Sequence, residues 1–142
     1  MNRNSETLFD TTKSNDVDKW RRLSNAGADI NTKDCFGMTP THWAAVKGHT
    51  GALKLLIATG ADIHVKNKRG WTPTHEASRN GRIDALKLLV ELGVDINAKN
   101  LHGCTPVHFA AQIGALECLQ LLIEHGANIH AKDMLGKTAV HW

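Results

Sequence analysis

One octapeptide recurs through the chain at a fixed interval. Gly37-Met38-Thr39-Pro40-Thr41-His42-Trp43-Ala44 is followed 33 residues on by Gly70-Trp71-Thr72-Pro73-Thr74-His75-Glu76-Ala77. A further 33 residues bring Gly103-Cys104-Thr105-Pro106-Val107-His108-Phe109-Ala110, and Gly136-Lys137-Thr138-Ala139-Val140-His141-Trp142 stands in the same register. A constant interval of this size points to units that each bury an apolar face on a neighbour, rather than to one core wrapped by the whole chain.

Each copy reads as a helix start. Thr39, Thr72 and Thr105 stand where an N-cap hydroxyl accepts from an orphan backbone N–H. Pro40, Pro73 and Pro106 follow at the first helical position, where a missing N–H costs nothing. His42, His75 and His108 fall at the third, from which a side chain reaches back to the cap. The glycines at 37, 70, 103 and 136 suit the end of a tight turn that begins at Asp34, Asn67, Asn100 or Asp133. The spacing then predicts a first helix ending before Gly48, Gly81 or Gly114, and a second closing at Gly60, Gly93 or Gly126. The second helix carries Leu53 to Ile57, Leu86 to Val90 and Leu119 to Ile123. Helices this short need stacking for stability.

The interval and the Thr-Pro-x-His-x-Ala core resemble the ankyrin repeat, over nearly all of the 142 residues. The resemblance implies an all-α solenoid, a stack of helix-turn-helix units joined by β-hairpin-like loops. It divides a single array, 1–142, into a capping repeat at 1–33, full repeats at 34–66, 67–99 and 100–132, and the opening of a fifth at 133–142. The first unit lacks the motif, and Arg22 and Ser24 replace the apolar Leu55 and Ile57 of the next, as suits a polar outer face. Thr41 and Thr74 replace the leucine usual in the family, so a leaner core is expected there. Glu76 takes the place of Trp43 and Phe109, and Ala139 that of the last proline. With only part of a fifth repeat, the outer flank of Leu119, Leu122 and Ile123 is expected to be partly exposed, the chain being a fragment of a longer array or that edge pairing with another copy in self-association.

Composition narrows the chemistry. Apolar residues at 42% and charged residues at 22% are ordinary for a water-soluble chain. No apolar run approaches the roughly 18 residues of a membrane span, and no signal pattern follows Met1, so no membrane partner is expected. Cys35, Cys104 and Cys118 are odd in number and fall at different repeat positions, which points to a reducing intracellular setting, cytoplasmic or nuclear. Nine histidines raise the question of metal, yet four are periodic helix-start residues and only His102, Cys104 and His108 cluster. The sequence holds no H-E-x-x-H, paired C-x-x-C, G-x-S-x-G, P-loop or glycine-rich dinucleotide turn, so neither catalysis nor a metal or cofactor is expected.

Charge is informative by location. The loops 30–38, 63–71, 96–104 and 129–137 carry seven cations against two carboxylates, a surplus of five, although the whole chain is only +3. Some of these lysines can be solvated framework. The resemblance implies protein recognition through loop tips and the inner face of the first helices. The residues so placed are Phe36, Met38 and Lys47, then Lys66, Lys68, Arg69, Trp71, Arg79 and Asn80, then His102 and Gln112, with Cys35, Val46, Leu101, Cys104 and Ile113 beside them. A basic rim around Trp71, expected to be exposed and free of packing, fits a protein or peptide partner with an acidic stretch and an apolar anchor. A structural spacer or regulatory segment of a larger protein is the alternative, with a weak nucleic-acid-binding module behind it. Nucleic acid is disfavoured by sparse aromatics and the lack of a reader motif. The family is also hydroxylated by a 2-oxoglutarate-dependent enzyme at a turn Asn with Leu eight residues earlier. Asn31 with Leu23 and Asn97 with Leu89 match that pattern.

Overall fold

The computed structural model describes residues 30–139, so the expected capping repeat up to residue 29 and Val140, His141 and Trp142 lie outside the described residues. Within that span the chain forms three helix pairs. They are α1 (Pro40–Lys47) with α2 (Thr50–Ala58), α3 (Pro73–Arg79) with α4 (Ile83–Glu91), and α5 (Pro106–Ile113) with α6 (Leu116–Glu124). First helices stack as α1 on α3 on α5, and second helices as α2 on α4 on α6. No strand occurs among the described residues.

The helix starts follow the expected chemistry. Thr39, Thr72 and Thr105 are extended N-caps, each followed by proline and closed by a reciprocal capping box with the histidine three residues on. The Thr39 N–H donates to His42 Nδ1 at 3.2 Å, and the Thr39 hydroxyl lies 3.0 Å from the same nitrogen. A backbone donor aimed at Nδ1 leaves the ring proton on Nε2. His42 Nε2 then donates to the Trp71 carbonyl at 2.8 Å, in the next repeat. His75 reaches the Cys104 carbonyl and His108 the Lys137 carbonyl, each at 3.1 Å. One fully buried imidazole thus caps its own helix and fastens the next repeat.

Small side chains let the first helices approach: Ala44, Ala45, Ala77, Ser78 and Ala110 are fully buried. Leu53, Leu56, Leu86, Leu89 and Leu122 fill the layer beneath. Thr41, where a leaner core is expected, is fully buried, and its hydroxyl has no hydrogen-bond partner among the described residues. Helix α3 is one residue shorter than expected: Asn80 caps it, and its side chain returns to the Glu76 carbonyl at 2.8 Å. The exposed flank is only partly as expected. Leu122 is fully buried and Leu119 half-buried, while Ile123 is 47% exposed. Leu122 packs inward with the helix pair itself and so needs no following repeat.

Successive turns meet edge to edge. Lys68 N–H donates to the Phe36 carbonyl at 3.1 Å, Leu101 N–H to Arg69 at 3.0 Å, and Met134 N–H to His102 at 2.9 Å. These single bonds are the hairpin-like joints. Gly37 shows how closely they fit: its φ is +75°, and a Cβ there would lie 2.9 Å from the Lys68 nitrogen. Only glycine allows both the left-handed backbone and that approach.

Candidate functional site

The turns present one side-chain pair per repeat, and the chemistry of that pair changes along the array. The first turn residue uses Oδ1 to accept two backbone N–H groups: Asp34 from Phe36 and Met38, Asn67 from Arg69 and Trp71, Asn100 from His102 and Cys104. This fixes which terminal atom faces the first helix nine residues on. In repeat two Asp34 Oδ2 accepts from Trp43 Nε1 at 3.2 Å. In repeat three Asn67 Nδ2 donates to Glu76 Oε1 at 3.3 Å and to the Met38 sulfur at 3.1 Å. In repeat four the facing residue is Phe109, which offers no acceptor, and buried Asn100 Nδ2 has no partner among the described residues.

Trp71 stands at the junction of these environments. Its ring lies 4.4 Å from that of Phe109 at 35° and 6.4 Å from that of His75, and Phe109 meets His75 edge-on at 5.9 Å. The Arg69 guanidinium carbon lies 6.0 Å from the centre of the indole, a cation–π contact. The indole is therefore half-buried and packed, which corrects the expectation of an exposed ring without a packing role. Its Nε1–H is a second buried donor without a partner. Such an orphan typically costs about 1–3 kcal/mol, and the group invites a ligand or water.

Two cavities open beside Trp71. The first, about 460 Å³, lies between repeats two and three, with Phe36, Trp43, Arg69, Trp71, Glu76 and Arg79 among its walls. The second, about 390 Å³, is walled by Trp71, Asn100, Phe109, Met134 and Leu135, with His102 and Gln112 at its edge. Glu76 belongs to the first and is 8% exposed. Burial pushes its carboxyl up to about 7, a rise that the cations Arg69 and Arg79 partly oppose. Its carboxylate accepts from the Asn67 amide, a neutral partner. Next to it His75 is driven down to about 4 by burial, and the Cys104 carbonyl opposes that shift.

The first cavity gathers Phe36, Met38, Arg69, Trp71, Arg79 and Asn80, and the second Trp71, His102 and Gln112. Met38 is buried, so it walls the cavity instead of standing at a free loop tip. Lys66 lies in a separate recess of about 340 Å³ with Thr72, Val94 and Asn97, and Lys47 in a small cleft beside Arg82. Lys68 is exposed at its turn. Sequence reasoning passed over Trp43, Glu76, Asn100, Phe109, Met134 and Leu135 as site residues. For Trp43, Glu76, Asn100 and Phe109 the signal was available in the pairing of the turn's first residue with the residue nine places on. Asn31 and Asn97 join neighbouring loops: Asn31 Oδ1 accepts from Asp62 N–H at 3.0 Å, and Asn97 Oδ1 from Asn128 N–H at 2.7 Å.

Among the described residues no group of three or more His, Cys, Asp or Glu is placed to hold a metal, and no helix is long and apolar enough to cross a membrane. Cys35, Cys104 and Cys118 are free thiols, and burial raises the latter two. A family model for ankyrin repeats in three copies matches residues 8–100, and one for a single ankyrin repeat matches residues 102–134. Among characterised proteins, human NF-kappa-B inhibitor zeta is 50% identical over 34 residues, which is 24% of this chain and 5% of that protein. Its mouse counterpart matches to the same extent.

Proposed function

The chain belongs to the ankyrin-repeat family, and from that premise we propose that it binds a protein partner through the face built from its turn tips and first helices. The observation that carries this reading is the pair of cavities flanking Trp71, with exposed Lys68, Arg69 and Arg79 around them. Buried alanine and serine in α1, α3 and α5 let the first helices pack closely, which supports a reading of their inner side, with the turn tips, as one continuous concave binding face. The partner carries an acidic stretch drawn by the cations and an apolar anchor seated against Trp71. Charge at the rim sets association rate more than final affinity. The short likeness to a protein named as an inhibitor of NF-kappa-B fits a role exercised through another protein. The setting is intracellular, cytoplasmic or nuclear, with no catalysis.

Affinity capture with mass spectrometry identifies the partner, and two variants then test the face. Trp71→Ala weakens binding by about 2 kcal/mol, and its lost stack on Phe109 lowers stability as well. Lys68→Glu with Arg69→Glu slows association and blunts its salt dependence. Wild-type affinity and kinetics in both variants would place the binding face elsewhere.

A further inference from the structure

Asn100 and Trp71 carry buried hydrogen-bond donors that the described residues leave unanswered, and both residues wall the same cavity of about 390 Å³. The orientation of the Asn100 amide is fixed, because its Oδ1 already accepts from His102 N–H at 2.8 Å and Cys104 N–H at 3.0 Å. Turning it over would break both bonds. The internal comparison is direct. The equivalent Asn67 amide is answered by Glu76, whereas Phe109 at the matching position makes that wall apolar. Phe109, Met134 and Leu135 give the cavity its apolar body.

We propose that this cavity receives a carbonyl oxygen carried on an apolar group of a partner's peptide segment, held by the Asn100 amide and the Trp71 indole N–H. The inference rests on the reading of this face as the partner-binding surface and specifies the anchor. A neutral carbonyl fits better than a carboxylate, because Asp133 contributes to the same wall. The acidic residues of the partner then lie outside, over Lys68 and Arg69. Met134 and Leu135 form part of the wall and are 71% and 79% exposed, so the cavity's outer side is made of side chains that face solvent. Their turn is held by the Met134 N–H bond to the His102 carbonyl, so the unbranched Met134 side chain can change rotamer and admit the group while the backbone stays fixed.

The test uses ¹⁵N-labelled full chain titrated with N-acetyl-leucine N-methylamide, a peptide-like probe with an apolar side chain and carbonyl acceptors. The Trp71 indole and Asn100 side-chain NH₂ resonances are read directly. The expected result is a saturable shift of both. Asn100→Asp keeps the turn acceptor, as Asp34 and Asp133 do in their repeats, but removes the donor; it weakens the probe by at least about tenfold. Phe109→Glu recreates the Asn67–Glu76 pairing, occupies the amide from within and weakens the probe likewise, which keeps the test decisive if the first variant misfolds. No saturable shift at either side chain, as when water alone meets the donors, would overturn the inference, as would unchanged binding by a folded variant. The probe needs no partner. A partner docking on another face would therefore remove the functional reading and leave the probe result standing, and a silent probe would leave the functional reading to its own test.

Discussion

Replacing Glu76 by glutamine removes a titrating group from a place where it is costly to charge, and the effect on stability should depend steeply on pH. The carboxyl is raised from 4.5 to about 7 in the folded chain. A raised carboxyl means that the folded state holds its proton longer than the unfolded state does. Its contribution is therefore neutral below pH 4.5, declines as pH rises, and reaches its full penalty above about 7. At roughly 1.4 kcal/mol per pH unit the penalty approaches about 3 kcal/mol. Glutamine keeps an oxygen for Asn67 Nδ2 and carries no charge, with Arg69 and Arg79 the cations that face it. Glu76→Gln should therefore be about 3 kcal/mol more stable than the wild type at pH 8 and equal to it at pH 4. His75 works in the opposite direction. Lowered from 6.5 to about 4, it gives stability that is complete above 6.5 and lost as pH falls through about 4. In the wild type the two trends oppose each other between 4.5 and 6.5; the variant removes the carboxylate trend and leaves the histidine one, to which His42, also lowered by burial, adds in the same direction. Urea denaturation followed by far-UV circular dichroism across pH 4–8 measures both. A difference between the proteins that is the same at pH 4 and pH 8 would refute the reasoning.

Three further outcomes are expected. His75→Ala loses the Thr72 cap partner and the bond to the Cys104 carbonyl and leaves a cavity, so urea unfolding should show a loss of about 4 kcal/mol. Gly60→Ala, where nothing lies within 4 Å of an added Cβ, should cost about 1 kcal/mol for its left-handed backbone, and Gly37→Ala at least about twice that, because the Lys68 backbone blocks it. Incubation with the asparaginyl hydroxylase and 2-oxoglutarate should add one oxygen at Asn97, read by peptide mass; an unmodified peptide after prolonged incubation would remove the proposal. Because Asn97 is bonded to Asn128 N–H and to the Gly126 carbonyl, its modification should quicken when the fourth repeat is destabilised.

Most of the framework was legible because it is local and repeated. A threonine, a proline and a histidine in fixed order specify a cap whichever repeat they occupy, and the glycines mark the backbone turns. The site was less legible because it lives in the differences between repeats. Trp71 looked free, since Met38, Cys104 and Lys137 share its position. Its role depends on Phe109, 38 places later in the chain, and on a contact across a repeat boundary. Glu76 looked like drift in the framework. Its meaning emerges when it is set against Asn67, just as Trp43 is set against Asp34: a donor facing an acceptor in each case. The third pair, Asn100 with Phe109, breaks that complementarity, and a single repeat read alone would not reveal it.

The lone backbone bond joining each turn to the next has a consequence for how a partner is read. Phe36, Arg69 and His102 lend their carbonyls to those joints, and Leu135 follows in the same turn position. The four side chains are exposed, so they form a ruled row of apolar, cationic, imidazole and apolar marks. The stride of the row is set by the joints rather than by the side chains. Because the bonds are made by the backbone, exchanging one side chain alters a single mark and leaves the joints that space the row untouched.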